Sequence, residues 1–362
     1  MDLEERLAWI GLSRVKGIGP ARFRRVIAHF GTARAAWKAP RSAWQALGLP
    51  TATLDALVHL RQQTDLQRLW ETWQQKGIHV LTWEDAAYPH RLRQVESAPP
   101  VLYLRGEILP EDDWAVAVVG TRKMSAYGRQ VAKDVAALLA EHGVTVVSGL
   151  ARGVDGVTHR AALQAQGRTI AVLGNGVDVA YPPEHRRLAE EIAGHGALVS
   201  EYPPGTRPDA VNFPPRNRII AGMCLAVVVV EAGRKSGALI TAAFAADQGR
   251  DVFAVPGNIY ASASQGTNWL IQEGARPLTS PQDLLEALEI DLLPQRQQAR
   301  RTLPTTPTEE RVLAALSDTP AHADEISAQI GIPVAQVIAA LTTLELKGMV
   351  LSVGGMRYVI AH

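Results

Sequence analysis

Five segments of the chain combine glycine with cationic or hydrogen-bonding side chains, and each follows an apolar run. The candidate binding residues in these segments are Gly120, Thr121, Arg122 and Lys123; Ser148, Gly149 and Arg152; Gly174, Asn175, Gly176, Tyr181, His185 and Arg186; Phe213, Arg216, Asn217 and Arg218; and Lys235, Ser236 and Gly237. Glycine lets backbone N–H groups approach a ligand, and arginine and lysine pair with anions. These residue types predict a cleft that holds phosphate groups. The alternative is that the glycines serve only turns and helix packing.

The apolar runs before these segments predict the elements that position them. Strand-like runs at 115–120, 144–149, 169–174, 197–201, 225–231 and 251–257 alternate with helical stretches near 126–142, 156–166, 184–194, 215–223, 237–248 and 266–274. Continuously apolar strands separated by helices are typical of a parallel sheet covered on both faces. We therefore predict an α/β fold with a Rossmann-like core over 76–290. Ligands of such sheets bind at the carboxyl ends of the strands.

Motifs for the common chemistries are missing from the sequence. It contains no GxGxxG after the first strand of the alternation, no P-loop, no GxSxG and no HExxH. Its single cysteine, Cys224, excludes a disulfide framework. Asp155 and His159 are four residues apart without a third ligand nearby, so we interpret them as loop-bracing residues. Glu201 and Glu231 are interpreted as partners of Arg216 or Arg218. We predict no catalytic residue, no metal and no cofactor.

Residues 1–75 form a predicted helical domain with one motif of its own. The stretch Val15–Arg22 has the hxGxG turn of a helix-hairpin-helix. Such a turn presents backbone N–H groups to a DNA phosphate, with Lys16, Arg24 and Arg25 nearby as cations. The same turn also occurs where two helices simply pack tightly. Both interpretations stay open.

The C-terminal region has a separate pattern. Residues 291–306 are polar, lack periodicity and are predicted to be a linker, whereas 307–362 follow the helix, helix-turn-helix and hairpin order of a winged helix. The predicted recognition helix, 333–348, contains one lysine and no arginine. A recognition helix that binds duplex DNA needs cations to neutralise the phosphates. We predict a docking surface in preference to sequence-specific DNA binding.

Composition excludes several classes of protein. The 37 basic and 36 acidic residues give a net charge of +1, so a uniformly basic polyanion binder is excluded while a local basic cleft is not. The longest apolar run, Met223–Val230, is too short to span a bilayer, and acidic residues stand where a signal peptide would be basic. We expect a cytoplasmic protein that does not enter a membrane.

Seven stretches resemble the DNA-processing protein A (DprA/Smf) family in order and spacing. They are VVGTRKMSAYG, SGLARGVDGVTHRAAL, AVLGNGVDVAYPPEH, SEYPPGTRP, FPPRNRIIAGM, VVVVEAGRKSGALITA and GRDVFAVPG. The resemblance covers about residues 70–290. It implies an extended Rossmann-like core with an N-terminal helical (SAM-like) domain and a C-terminal winged helix.

The resemblance also implies a function. Family members bind and protect incoming single-stranded DNA, load the RecA recombinase during natural transformation, help to displace single-strand binding protein and form homodimers. Gly120-Thr121-Arg122 matches the family's strand-binding motif. The stretch after Tyr181-Pro182, where many members have a lysine, is Pro183-Glu184-His185 here. The expected self-association residues are Val252, Phe253, Val255 and Ile259.

An enzyme is the competing interpretation. The core is also similar to the lysine-decarboxylase-like nucleotide phosphoribohydrolases, whose PGGxGTxxE loop carries a catalytic glutamate. The corresponding stretch here, residues 232–243, contains no carboxylate. Hydrolysis requires an acid or base within reach. The sequence therefore favours a binding protein that is not an enzyme.

Overall fold

A computed structural model describes residues 1–290, 306–317, 320–346 and 349–360. The chain divides into two compact units, Met1–Leu288 and Glu289–His362. Nearly all of the predicted linker, 291–306, lies outside the described residues. The domain boundaries drawn from the sequence therefore remain predictions.

Short helices form the N-terminal quarter of the first unit. They are α1 (Leu3–Ser13), α2 (Pro20–Phe30), α3 (Ala33–Lys38), α4 (Arg41–Gln45), α5 (Thr51–Gln63) and α6 (Leu66–Gln75). At the turn between α1 and α2, Gly17 has a φ of +94°, and a Cβ there would lie 2.5 Å from Thr53 Oγ1. A left-handed conformation and close packing against α5 both require glycine at this position.

The helices and the sheet share one hydrophobic core. The Trp9 ring centroid lies 4.7 Å from that of Phe23 and 5.7 Å from that of Trp83, which follows the first strand. Ile78 and Val80 of that strand are buried in the same cluster. The N-terminal helices are therefore fixed on the sheet by apolar burial, which stabilises both parts.

Nine described strands form the central sheet. They are β1 (Ile78–Thr82), β2 (Val101–Gly106), β3 (Ala115–Val119), β4 (Thr145–Ser148), β5 (Thr169–Leu173), β6 (Ala197–Ser200), β7 (Ala226–Val229), β8 (Asp251–Ala254) and β9 (Arg276–Pro277). The order across the sheet is β1-β2-β6-β5-β4-β3-β7-β8-β9. β3 to β9 pair in parallel, and β2 pairs antiparallel with β1 and β6. The predicted α/β fold with a parallel sheet is confirmed, and the antiparallel pairing of β2 with β1 and β6 makes the whole sheet mixed.

Helices connect these strands and set the position of the ligand crevice. They are α7 (His90–Arg93), α8 (Ala126–Glu141), α9 (Val154–Gln164), α10 (Arg186–His195), α11 (Phe213–Met223), α12 (Gly237–Asp247), α13 (Gln265–Gln272) and α14 (Gln282–Ala287). From β3 the chain proceeds to β4 on one side and returns through β7 on the other. The order in which the chain adds strands therefore reverses at β3. A crevice opens between β3 and β7 at such a switch point.

The second unit is a small helical bundle with a hairpin. It comprises α15 (Pro307–Ala314), β10 (Ala321–His322), α16 (Ala323–Ile330), α17 (Val334–Leu346), β11 (Val350–Ser352) and β12 (Arg357–Ile360). Its strands are ordered β10-β12-β11 around a core that includes Val312, Ile326 and Leu341. The predicted winged-helix order is confirmed.

Within the described ranges, no single helix is long and apolar enough to cross a bilayer. One pair, Ala323–Ile330 with Val334–Glu345, reaches the length and composition only when its two helices are counted together, and they are bent by 114°.

Candidate functional site

A cavity of about 620 Å³ opens at the switch point of the sheet. The loop after β3, the loop after β7 and the first turns of α11 and α12 form its walls. Ten of the predicted binding residues line it: Gly120, Thr121, Arg122, Tyr181, Phe213, Arg216, Asn217, Lys235, Ser236 and Gly237. A recess beside Arg122 and Phe213 adds Gly149 and Arg152. The fold thus brings most of the predicted segments to one place, and we call this space the cleft.

Two aromatic rings form a platform inside the cleft. Tyr181 and Phe213 are stacked, with ring centroids 5.7 Å apart and an interplanar angle of 27°. The Arg122 guanidinium carbon lies 5.7 Å from the Phe213 ring centroid, and that of Arg216 lies 5.9 Å from it. Tyr181 keeps 38% of its surface exposed. Such a platform can stack on a nucleobase while the guanidinium groups contact phosphate.

Cations on two sides of the cleft are available to a ligand. Arg122 follows β3 and Lys235 follows β7, and both are exposed. Among the residues that the structure describes, neither has a carboxylate oxygen within 4.0 Å. Arg152 differs, because its guanidinium donates to the Glu184 carboxylate.

Arg216 is a buried cation at the floor of the cleft. Its Nη1 donates to the Gly149 carbonyl at 3.0 Å and to the Val172 carbonyl. Burial lowers the pKa of Arg216 to about 10, so the side chain stays protonated at neutral pH. Because Arg216 donates to two carbonyls near strand ends, its side chain is held in place. It therefore provides a fixed positive charge beside the Phe213 ring.

Backbone amides of the loop after β4 do not point to a ligand. Asp155 Oδ2 accepts hydrogen bonds from Gly149 N at 3.1 Å and from Ala151 N at 3.2 Å. Burial raises the pKa of Asp155, with Arg216 opposing that shift. An internal carboxylate therefore occupies the anion position that the glycine-rich sequence predicted for phosphate. The loop-bracing interpretation of Asp155 is confirmed, and phosphate binding by these two amides is wrong.

Glutamates at two strand ends have different partners. Glu201 accepts from Arg218 Nη1 at 2.6 Å and Nη2 at 2.8 Å, as the sequence suggested. Glu231 instead accepts from the Ser125 hydroxyl at 2.5 Å and from Ser125 N at 2.8 Å. The predicted pairing of Glu231 with Arg216 or Arg218 is wrong, because Glu231 faces the start of α8.

Polar atoms of four predicted binding residues are used inside the fold. Ser148 donates to Val118 O, and Asn175 donates to the carbonyls of Gly176 and Val179. Arg218 donates to Glu201 and to Ser97 O. His185 Nδ1 lies 3.0 Å from Leu150 O. All four are buried. Their side chains position the loops, which corrects the prediction that they contact a strand.

Four further predictions concern residues beside the cleft. A Cβ on Gly174 would lie 2.7 Å from the Phe213 ring, and one on Gly176 would lie 2.8 Å from Pro203 O. These glycines therefore permit packing and do not line the cavity. Lys123 and Arg186 are exposed but also do not line it.

The predicted self-association residues differ in how far they are exposed to solvent. Phe253, in β8, and Val255, directly after it, are each only 2% exposed, and β8 lies between β7 and β9 in the sheet. Both are core residues, so their assignment to an exposed interface is wrong. Ile259 is 71% exposed, and the neighbouring Tyr260 is 89% exposed.

Cations near the helix-hairpin-helix turn contact the protein itself. Arg22 donates to Gly17 O at 2.7 Å, Arg25 to Leu47 O at 2.9 Å, and Arg24 to Glu96 O. The Arg24 guanidinium also lies 4.6 Å from the centroid of Trp83. These contacts favour the packing interpretation of the turn over the DNA-binding one.

Sequence reasoning missed several residues of the site. Pro208, Ala210, Ile220, Ile240 and Thr241 also line the cavity. Ile240 and Thr241 lie one turn into α12, where the glycine-rich segment before the helix could have indicated them. Pro208 lies in an irregular segment and Ala210 begins a three-residue 3-10 turn, Ala210–Asn212, and neither has a periodicity that predicts its position.

Comparisons with known proteins identify the family. The family described as DNA recombination-mediator protein A matches residues 79–289. A DprA-like N-terminal HHH domain matches 3–56, and a DprA winged helix domain matches 296–356. The chain is 37% identical to protein Smf of Synechocystis over 99% of both chains. The chain belongs to the DprA/Smf family.

Two solved DprA structures share the fold. That of Streptococcus pneumoniae DprA superposes with a TM-score of 0.69 at 35% identity, over 79% of this chain and 98% of that one. That of Helicobacter pylori DprA gives a TM-score of 0.53 at 30% identity, over 59% and 96%. The latter is described by its single-stranded DNA binding mode. DprA/Smf members are DNA-processing proteins, as the resemblance predicted.

Proposed function

We propose that the protein binds single-stranded DNA in the cleft between β3 and β7. The observation that carries this proposal is the stacked Tyr181–Phe213 pair flanked by the exposed cations Arg122 and Lys235. Single-strand binders combine aromatic faces for bases with cations for phosphates. Two findings support the proposal: the chain belongs to the DprA/Smf family, and the H. pylori DprA structure is described by its single-stranded DNA binding mode.

The geometry favours a single strand over a duplex. Bases of a duplex are stacked and paired, so their faces cannot reach a ring within a cavity. An unpaired base can leave the strand and stack on the exposed Tyr181 ring. We assign strand contact to the cleft-lining residues Gly120, Thr121, Arg122, Arg152, Tyr181, Phe213, Asn217, Lys235, Ser236 and Gly237, with the buried Arg216 supporting the Phe213 ring from the floor of the cleft.

Binding without chemistry is part of this proposal. Among the residues that the structure describes, Asp155 alone brings a carboxylate to the cavity lining, and its Oδ2 already accepts two backbone hydrogen bonds. Glu231 is held by Ser125. Neither carboxylate is positioned to transfer a proton to a substrate.

Partners of the bound strand follow from the resemblance. We propose that the protein protects single strands and loads a RecA-type recombinase onto them, with displacement of single-strand binding protein. We further propose that it acts as a homodimer through the surface around Ile259. The exposed Ile259 and Tyr260 support an interface there, because exposed apolar patches mark association sites.

The binding platform can be tested with two substitutions at one position. Tyr181→Ala should weaken binding of a fluorescent oligonucleotide by about 1 to 3 kcal/mol, because a stacking face is lost. Tyr181→Phe keeps the face and should bind like the parent. Equal affinity for all three proteins in fluorescence anisotropy would contradict the proposed site.

A further inference from the structure

One ion pair borders the proposed strand path: its arginine lines the recess beside the platform, and its glutamate lines a neighbouring pocket beside α10. Arg152 belongs to the loop between β4 and α9 and lines the recess that contains Arg122, Tyr181 and Phe213. Its Nε donates to Oε1 of Glu184, which lies in the short 3-10 turn Pro183–His185 before α10. A carboxylate thus neutralises one of the cations that face the platform.

The His185 side chain holds the segments that carry this pair together. His185, next to Glu184, places its buried Nδ1 3.0 Å from the carbonyl of Leu150, two residues before Arg152. A Cβ on Gly156 would lie 2.6 Å from the His185 ring, so the ring is closely packed. The segments that carry Arg152 and Glu184 are therefore fixed relative to each other.

The pair itself is open to solvent and replaceable. The Arg152 and Glu184 side chains are 64% and 48% exposed. Exposed ion pairs contribute little to stability, because water screens them and ordering two long side chains costs entropy. A phosphate group offers arginine the same bidentate oxygen geometry as a carboxylate, with more charge.

We propose that Glu184 occupies a phosphate position at the edge of the strand path, on the far side of Arg152 from the recess, and competes with DNA for that arginine. The inference rests on the proposed single-strand function. Glu184 thereby sets the affinity and the salt dependence of binding: a strand must displace the carboxylate before Arg152 contributes a contact. The negative charge also weakens binding of any phosphate that passes near it.

Substitution of the carboxylate tests this competition. Glu184→Gln should bind single-stranded DNA roughly three- to tenfold more tightly at low salt, since Arg152 is released. The dependence of log K on log salt should steepen by about 0.7, the value for one added phosphate contact on a single strand. Glu191→Gln is the matched control: Glu191 forms an exposed pair with Arg187 on α10, away from the recess, and its loss should leave affinity unchanged.

The Arg152→Ala background distinguishes the pair from general repulsion. In the Arg152→Ala protein, Glu184→Gln should make the free energy of DNA binding more favourable by less than half as much as it does in the parent. An equal gain in both backgrounds would overturn the competition. Weaker binding by Glu184→Gln would also overturn it, because Glu184 would then position Arg152 for DNA. If the parent itself does not bind single strands, the proposed function fails; if the parent binds but Glu184→Gln and the parent are equal, only this inference fails.

Discussion

Glu231, after β7, accepts two hydrogen bonds from Ser125, at the start of α8. The Ser125 hydroxyl lies 2.5 Å from Oε1, and its backbone N lies 2.8 Å from Oε2. The same hydroxyl accepts from Gly128 N at 3.1 Å as the N-cap of α8. A Cβ on Gly128 would lie 2.2 Å from the carboxylate. These contacts join the two loops that carry Arg122 and Lys235, so they set the width of the cleft.

This relationship predicts an unusual order of stability at position 125. Ser125→Ala removes the cap and should lower the free energy of unfolding by about 1 to 2 kcal/mol. Aspartate is ordinarily as good an N-cap as serine, but Ser125→Asp would place a second carboxylate against Glu231. It should therefore be less stable than Ser125→Ala in urea unfolding. An aspartate variant as stable as the parent would contradict the role of Glu231.

Arg122 is expected to be a main phosphate contact. Arg122→Ala should weaken single-strand binding by about 1.5 to 3 kcal/mol, because a charge-assisted contact is lost. Circular dichroism should be unchanged, since the side chain is exposed. Arg68→Ala, which removes an exposed cation from α6, is the control and should bind like the parent. Parent-like binding by folded Arg122→Ala would show that the site is misassigned.

His159 predicts a pH dependence of stability. Burial lowers its pKa to about 3, and its Nδ1 lies 2.7 Å from Thr169 Oγ1. In the unfolded chain histidine titrates near pH 6.5. Below about pH 6.5 the unfolded chain gains a proton that the folded protein does not, so stability falls with pH towards about 3. At pH 5 the loss from this residue is about 2 kcal/mol.

A variant without the titrating group isolates this contribution. The free energy of unfolding of the parent should fall by about 2 kcal/mol more than that of His159→Gln between pH 7 and pH 5. Urea unfolding at both pH values measures the difference. An equal fall in the two proteins would show that His159 is protonated in the folded state.

The sequence predicted the sheet because the signal was local. Val-rich runs such as β3 and β7 are buried on both faces. A short, continuously apolar run between two helices is typical of a strand in a parallel sheet. Positions at the strand ends followed from topology. Arg122, Phe213 and Lys235 were placed at one cleft because the carboxyl ends of parallel strands meet at the same edge.

Contacts between side chains distant in the sequence could not be predicted. The sequence indicated that Asp155 braces its loop, but not that it does so by accepting the Gly149 and Ala151 amides, which the glycine-rich pattern assigned to phosphate. An arginine in a basic segment looks available, yet Arg216 donates to the Gly149 and Val172 carbonyls and Arg24 to the carbonyls of Val95 and Glu96. Phe253 and Val255 are buried where β8 has a further neighbour, β9, a strand of two residues that has no sequence signal of its own.

The central claim is tested most directly by comparing single-stranded and blunt duplex DNA of equal length in one titration series. Affinity for the single strand should exceed that for the duplex and should fall as salt rises, because cations such as Arg122 and Lys235 contact phosphates. Fluorescence anisotropy across several salt concentrations measures both properties. Equal affinity for the two DNA forms, or single-strand binding that does not change with salt, would contradict the account.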